Sequence, residues 1–204
     1  MQSMTADVQR HPQTSRSQRT RHDLSRAAYA HLAAEGTLDV AAVVAAAGVS
    51  AATFYAHFAT HDDALAAALD IALQRVVGVG EQDFRIENLL NDGVDAVVGQ
   101  LVEHTHDAFR SDSLVFRAAI ARLPGHRGIR DIYRHHEAKS LAHFTDQITL
   151  GQKASLLDQG DPRERALALL VVLQGMNNPL LTKGPLAAGV SAHYQRALRA
   201  VLQS

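Results

Sequence analysis

The residues best suited to chemistry lie between positions 39 and 58. Ser50, Ala51, Ala52, Thr53, Tyr55 and His57 follow the turn Gly48-Val49. Phe54 and Phe58 are four apart, so a helix here has one buried face. That leaves Thr53, Tyr55 and His57 for the other faces, where hydroxyl, phenol and imidazole groups can hydrogen-bond to phosphates or base edges. A helix pinned this way can offer its N-terminal turn to the major groove of DNA. Upstream, four arginines lie between positions 10 and 21: Arg10, Arg16, Arg19 and Arg21. They read either as phosphate-binding groups or as a solvated polar terminus.

Other chemistries find less support. The chain has no cysteine, which excludes disulfides, thiolate metal sites and cysteine nucleophiles. It has 12 histidines. His104 and His106 are two apart and diverge on a helix, as do the adjacent His135 and His136. His136 and His143 share a face but lie about 10 Å apart along the axis, too far for one ion without other helices. No metal and no cofactor is expected. Asp131, Glu137 and Asp146 with His136 and His143 could form acid–base partners. However, the chain has no glycine-rich phosphate loop, serine elbow or metal-spacing motif, so an enzyme is not expected.

The elements that must position these groups are helical throughout. Residues 1–15 are polar and read as a disordered arm. Leu24, Ala27, Ala28, Tyr29, Leu32 and Ala33 recur at three-to-four spacing, in a helix that opens at Arg16 or Arg19 and stops at Gly36. Asp39 caps a helix over 40–47, Ser50 caps one over 51–58, and Thr60 caps one that reaches about Gly78. Gly78-Val79-Gly80 looks like a break. Further helices are expected over 86–110, 113–123, 128 to past Ile148, 163–181 and 191–202, with Gly93 and Gly99 weakening the first of these. Asp161 and Pro162 open the 163–181 helix. It is apolar nearly all round and is therefore expected to be buried on more than one side. No segment alternates with period two. The fold class is all-α: three short helices, then about six longer ones.

Length and charge agree with a soluble two-part chain. The sequence has 204 residues, 47% hydrophobic and 20% charged, with a net charge of −1. The first 61 residues carry +1 and the remainder −2. The start, Met1-Gln2-Ser3-Met4-Thr5-Ala6-Asp7, has no apolar core and does not read as a secretory signal. The densest apolar run, Ala166 to Leu173, is far short of the roughly 20 residues that span a bilayer. The expected location is the cytoplasm.

The local wording adds a resemblance. Thr20-Arg21, Ala27-Ala28, Leu32, Glu35-Gly36, then Ala46-Ala47-Gly48-Val49-Ser50, Thr53-Phe54-Tyr55, His57-Phe58 and Leu65 resemble, in order and spacing, the N-terminal domain of the TetR family of bacterial transcriptional regulators. The resemblance covers about residues 19–65. It implies an all-helical homodimer that binds a palindromic operator in double-stranded DNA. Residues 16–61 would be a helix-turn-helix DNA-binding domain, and 62–204 a larger helical domain for ligand binding and dimerisation. Most such proteins are repressors released by a small molecule, here an apolar or amphipathic effector of unknown identity. The alternative is a helix-turn-helix regulator controlled by a protein partner, with a filled larger domain.

By the same resemblance, residues 50–57 form the recognition helix. Tyr55 and His57 match positions that commonly touch the DNA backbone, and Thr53 one that reaches a base or phosphate. Partial burial of Tyr55 beside the first helix, or a merely exposed His57, are the alternatives. Three departures stand out. Ala51 and Ala52 replace longer polar side chains and offer only a methyl contact. His61 stands where a lysine usually binds phosphate. The segment Thr37-Leu38 is about two residues short. These losses of charge shift weight to Arg16, Arg19 and Arg21, expected at phosphates or in the minor groove.

For the larger domain, Phe109, Phe116, Tyr133, His136, Phe144, Met176, Asn177 and Asn178 are the candidate pocket residues, because an apolar pocket needs such types on long facing helices. Aromatic and Met residues at helical spacing are more often plain core. Asn177-Asn178 reads equally as a pair of pocket handles or as a helix end before Pro179. Leu170, Leu173, Tyr194, Leu198 and Val201, on the 163–181 and 191–202 helices, are the candidate dimer seam.

Overall fold

The computed structural model describes residues 12–203. Among them the chain is all-α: α1 (Pro12–Glu35), α2 (Val40–Ala47), α3 (Ala51–His57), α4 (His61–Asp83), α5 (Ile86–Ser111), α6 (Ser113–Arg122), α7 (Arg127–Lys153), α8 (Pro162–Gln174), a 3₁₀ turn (Gly175–Asn177) and α9 (Ala188–Leu202). No single helix among the described residues is long and apolar enough to cross a membrane.

The N-terminal unit is set by local signals. Asp39 accepts from the Ala41 amide to start α2. Gly48 ends it at φ 65°, ψ 34°, a left-handed conformation that glycine adopts without penalty. Ser50 accepts from the Thr53 amide at 3.2 Å to start α3. Thr60 and Asp63 form a reciprocal capping box at the start of α4. Leu24, Ala28, Val43, Phe54, Phe58 and Ala64 are buried together as a small core of these four helices. A second, larger core runs from Leu32 on α1 through Leu69 on α4 to α5–α9. Helices α1 and α4 contribute to both, and α4 also packs along α7. A division at residues 61/62 therefore falls in the first turn of α4.

Several expectations need correction. The arm proposed over 1–15 is helical from Pro12 on, within an α1 of 24 residues, so the first helix is not short; residues 1–11 lie outside the described residues. Gly78-Val79-Gly80 is no break, since α4 continues to Asp83. A Cβ on Gly80 would stand 3.0 Å from Phe144 Cζ, so here the small residue serves close packing of α4 against α7. The bend falls instead at Gly93, where φ is 80° inside α5. Helix α8 stops at Gln174, not Leu181. The Asn178 side chain accepts from the Leu180 amide at 2.9 Å and holds a turn there. Within one protomer α8 buries Ala166, Leu169 and Leu173, while Leu167 and Val171 are 48% and 58% exposed.

Candidate functional site

Two regions carry side chains that the core does not consume. The first is α3. Its buried face is Phe54, with Phe58 just past its end. The rings lie 5.4 Å apart and anchor α3 in the small core. Ala51, Ala52 and Tyr55 are exposed, and Thr53 and His57 half-buried. Tyr55 is 52% exposed, so it is not packed beside α1. Its ring stacks near that of His61, with the hydroxyl 3.4 Å from Nε2. The Ser50 hydroxyl is engaged as the cap and lies 3.0 Å from the Thr53 hydroxyl. Arg16 and Arg19 are exposed on α1.

Arg21 has a structural duty that sequence reasoning missed. Its Nη1 donates to the His57 carbonyl, and its guanidinium lies 4.7 Å over the Phe58 ring. A cation on an aromatic face and a bond to the last carbonyl of α3 together tie α1 to α3. The spacing of 36 residues gives no local signal for this pairing.

The second region is a cavity of about 430 Å³ between α4, α5, α6, α7 and α8. Of the candidate pocket residues, Phe109, Tyr133, His136 and Asn177 line it. Phe144 lines a small adjoining chamber of about 40 Å³. Phe116 and Met176 are core, and Asn178 is exposed in its turn, so the two asparagines have different jobs. The residues missed include Leu73, Val76 and Val77 on α4 and Arg130, Arg134 and Glu137 on α7. The first three read as ordinary core periodicity. The last three read as a solvated face, because nothing local reveals that α6 leaves room beside α7.

The polar groups of this cavity are unequal in their bonding. His136 is 4% exposed, and its Nε2 is 2.7 Å from Asp70 Oδ1 on α4. An ionised carboxylate only accepts, so Nε2 carries the proton and donates. The other nitrogen, Nδ1, is buried with no partner. The Tyr133 hydroxyl is likewise buried and unpartnered. Its pKa is pushed up to about 12, mainly by burial and further by Glu137. Arg130 donates to the Leu123 and Pro124 carbonyls, at 2.9 Å each. Gln174 donates to Glu137 at 3.0 Å.

A polar hub joins the two regions. Asp112, buried at the α5–α6 junction, accepts from Tyr29 of α1 at 2.6 Å and from Arg75 of α4 at 3.0 Å. Burial pushes its carboxyl above the ordinary value, while Tyr29 and Arg75 pull it back. Burial likewise raises the Tyr29 phenol, with the Asp112 bond adding to the rise. Two further pairs link the α6–α7 corner to the first turn of α4, Arg122–Asp62 at 3.3 Å and His126–Asp63 at 3.4 Å. Three further histidines are bonded within the protein. His143 donates to the Gly80 and Phe84 carbonyls, His106 to that of Leu181, and His104 pairs with Asp83.

The candidate seam residues divide. Leu173 and Leu198 are enclosed in the protomer's own core, at 4% and 0% exposure, and present no outer face. Their helical periodicity marks this core, which sequence alone does not distinguish from a seam. Leu170, Tyr194 and Val201 are half-buried. Leu170 also lines the cavity.

Comparison with known proteins gives a consistent result at the level of fold. No protein-family model and no curated protein matches the chain. Among solved structures, a protein from Mesorhizobium loti described as a TetR-family transcriptional regulator aligns over 91% of this chain and 94% of its own, with TM-score 0.70 and 19% identity. One from Rhodococcus sp., described in the same way, aligns over 90% and 98%, with TM-score 0.65 and 20% identity. The multidrug binding protein EbrR, solved with imidazole, aligns over 90% and 95%, with TM-score 0.65 and 22% identity. From Ser50-capped α3 to the cavity behind α4, this chain has the fold of the TetR-family transcriptional regulators.

Proposed function

We propose that the chain is a sequence-specific DNA-binding transcriptional regulator that acts as a homodimer. The observation that carries this reading is α3: a short capped helix, anchored by Phe54 and Phe58, with Ala51, Ala52 and Tyr55 outermost. Residues Ser50–His57, with His61 at the start of α4, are the proposed DNA-facing group, and Arg16 and Arg19 on α1 add charge at phosphates. Residues 16–61, with the first turn of α4 that adds Ala64 to their core, are the proposed DNA-binding unit, and the rest of 62–204 the effector and dimer unit. The proposed location is the cytoplasm, and the proposed partner is double-stranded DNA carrying a palindromic operator.

One short helix with little charge binds weakly, whereas two on a two-fold axis, roughly 34 Å apart, read a palindrome. The proposed seam is the open face of α8, at Leu167 and Val171, with Leu170, Tyr194 and Val201 at its margin; their exposure supports this reading. The regulator is a repressor released when a small molecule fills the cavity between α4 and α7. The volume of about 430 Å³ lies in the range of small-molecule sites. It favours this mode over control by a protein partner alone, for which a filled larger domain is expected.

The test is selection of the folded protein against random duplex DNA at moderate salt, read by sequencing. A palindrome with half-sites about one helical turn or more apart supports the reading. No enrichment from folded dimer overturns it.

A further inference from the structure

Helix α3 has seven residues, about two turns, and few attachments hold it. Gly48 and the Ser50 cap fix its N-terminal end. Phe54 and Phe58, both fully buried, hold one side against the small core. The last carbonyls of a helix have no partner within it, so the C-terminal end depends on groups from elsewhere.

Arg21 of α1 meets that end with two contacts at once. Its Nη1 donates to the His57 carbonyl, and its guanidinium carbon lies 4.7 Å from the centre of the Phe58 ring. His57 and Phe58 are consecutive, so one planar group grips the backbone and the side chain where α3 ends. Arginine suits this task because its face stacks on a ring while its edge donates. A lysine ammonium is a point charge and lacks that geometry. Arg16 and Arg19 are exposed and three apart, so they share one side of α1. Arg21 lies two residues beyond Arg19, about 200° around the helix. The arginines open to phosphates and the arginine that holds α3 therefore stand on different faces of α1.

The exposed surface of α3 makes its placement matter. Ala51 and Ala52 carry no hydrogen-bonding side-chain atom, and the Ser50 hydroxyl is spent on the cap. Phosphate contacts carry no sequence information, so readout falls to the few groups that reach base edges. A small rotation of α3 would move all of them together.

Resting on the reading of α3 as the DNA-facing helix, we propose that Arg21 is a positioning residue for sequence readout. It locks the C-terminal end of α3 to α1, and so sets operator specificity through α3 instead of binding a phosphate itself.

The test uses the full chain as wild type, Arg21→Ala, Arg21→Lys and Arg16→Ala, each checked for cooperative thermal unfolding. Both positions are exposed, so the variants retain the fold. Affinities are measured by anisotropy titration over a salt series, on the palindrome recovered by selection and on a scrambled duplex of the same composition. Arg21→Ala should bind the palindrome about tenfold more weakly and the scrambled duplex less than about threefold more weakly. Its slope of log affinity against log salt should change by less than about 0.5 per protomer. Arg21→Lys keeps the charge and should still bind the palindrome at least about threefold more weakly than wild type. Arg16→Ala is the contrast: both duplexes weaken together, and the slope falls by about one per protomer. A readout without DNA is amide hydrogen exchange at Phe58, whose N–H donates to the Phe54 carbonyl at 2.9 Å. It should quicken about fivefold in Arg21→Ala and stay as in wild type in Arg16→Ala.

A slope lower by about one per protomer in Arg21→Ala, equal losses on the two duplexes, full recovery in Arg21→Lys, or unchanged exchange at Phe58 overturns the proposal. A palindrome that Arg21→Ala binds as well as wild type removes only the assignment of Arg21. No palindrome removes the regulator reading, and the DNA role of Arg21 with it.

Discussion

Replacing Tyr133 by phenylalanine should stabilise the ligand-free protein. The hydroxyl is buried and makes no hydrogen bond, and that burial pushes its pKa up to about 12. Burying such a group without a partner costs about 1–3 kcal/mol. Removing it forfeits a few dispersion contacts at about 0.1–0.2 kcal/mol each. The net gain is about 1 kcal/mol, equivalent to about 2–4 °C in Tm for a chain of this size. Urea unfolding at fixed protein concentration is the assay, with the midpoint raised and the slope m unchanged. A second arm uses alkali. A phenol whose folded value lies above the ordinary 10.0 keeps its proton longer in the folded state, so wild-type stability falls as pH rises through 10 toward 12. The variant lacks that component. A variant less stable than wild type by about 0.5 kcal/mol or more would mean the hydroxyl has a partner. The account of the unpaired Tyr133 hydroxyl would then fail.

Other perturbations read other parts of the molecule. Val171→Arg, at a position 58% exposed, should give a folded monomer by sedimentation equilibrium, whereas Leu198→Arg, at 0% exposure, should lose the fold at a cost on the order of 4 kcal/mol or more; a folded dimer from Val171→Arg would sink the α8 seam. Arg16→Ala with Arg19→Ala should lower the slope of log affinity against log salt by about two per protomer, as measured by DNA titration, and an unchanged slope would remove both from the phosphates. Gly78→Ala, with open space around its Cβ, should raise thermal stability by about 0.5–1 kcal/mol, while Gly80→Ala should give no gain because Phe144 must move. Asp112, raised chiefly by burial above the ordinary 3.8, binds its proton more readily folded than unfolded. Wild type should therefore lose stability relative to Asp112→Asn as pH rises through and above the ordinary 3.8, which paired urea titrations would detect.

What the sequence made legible was local. The caps Asp39, Ser50, Thr60 and Asp161 and the left-handed Gly48 are short-range chemistry, and each stands where its residue type predicts. Phe54 and Phe58 were readable as core because their spacing and apolarity leave no other use. What was illegible depends on distant partners. The break expected at Gly78–Gly80 follows from glycine's low helix propensity, which packing of Phe144 against α4 overrides. Leu173 and Leu198 look like seam residues by periodicity, yet periodicity marks a buried face without saying whose atoms bury it. The cavity is the extreme case. It is a place where side chains fail to meet, and no residue announces an empty volume.

Helix α4 is where the two regions share atoms. Its first turn faces the end of α3, with His61 beside Tyr55 and with Asp62 and Asp63 held by Arg122 and His126. Its middle turns carry Leu73, Val76 and Val77 into the cavity wall and Asp70 onto His136. Between them Arg75 bonds Asp112 and Tyr29, which fixes α4 to α1 and to the α5–α6 corner. On the proposed function, a cavity occupant acts at α3 by favouring one placement of the shared helices α4 and α1 over another, because a ligand indifferent to the two would shift nothing. The arrangement supplies that difference in a specific form. His136 of α7 already bonds Asp70 of α4, and both helices line the cavity, so changing the angle between them changes the wall that an occupant meets. If the protein is the ligand-released dimer proposed above, then by reciprocity DNA that fixes the spacing of its two α3 helices weakens the ligand by the same factor. Measuring ligand affinity with and without operator DNA, and operator affinity with and without ligand, closes that cycle. Unequal factors would show that the two sites do not share one two-state element.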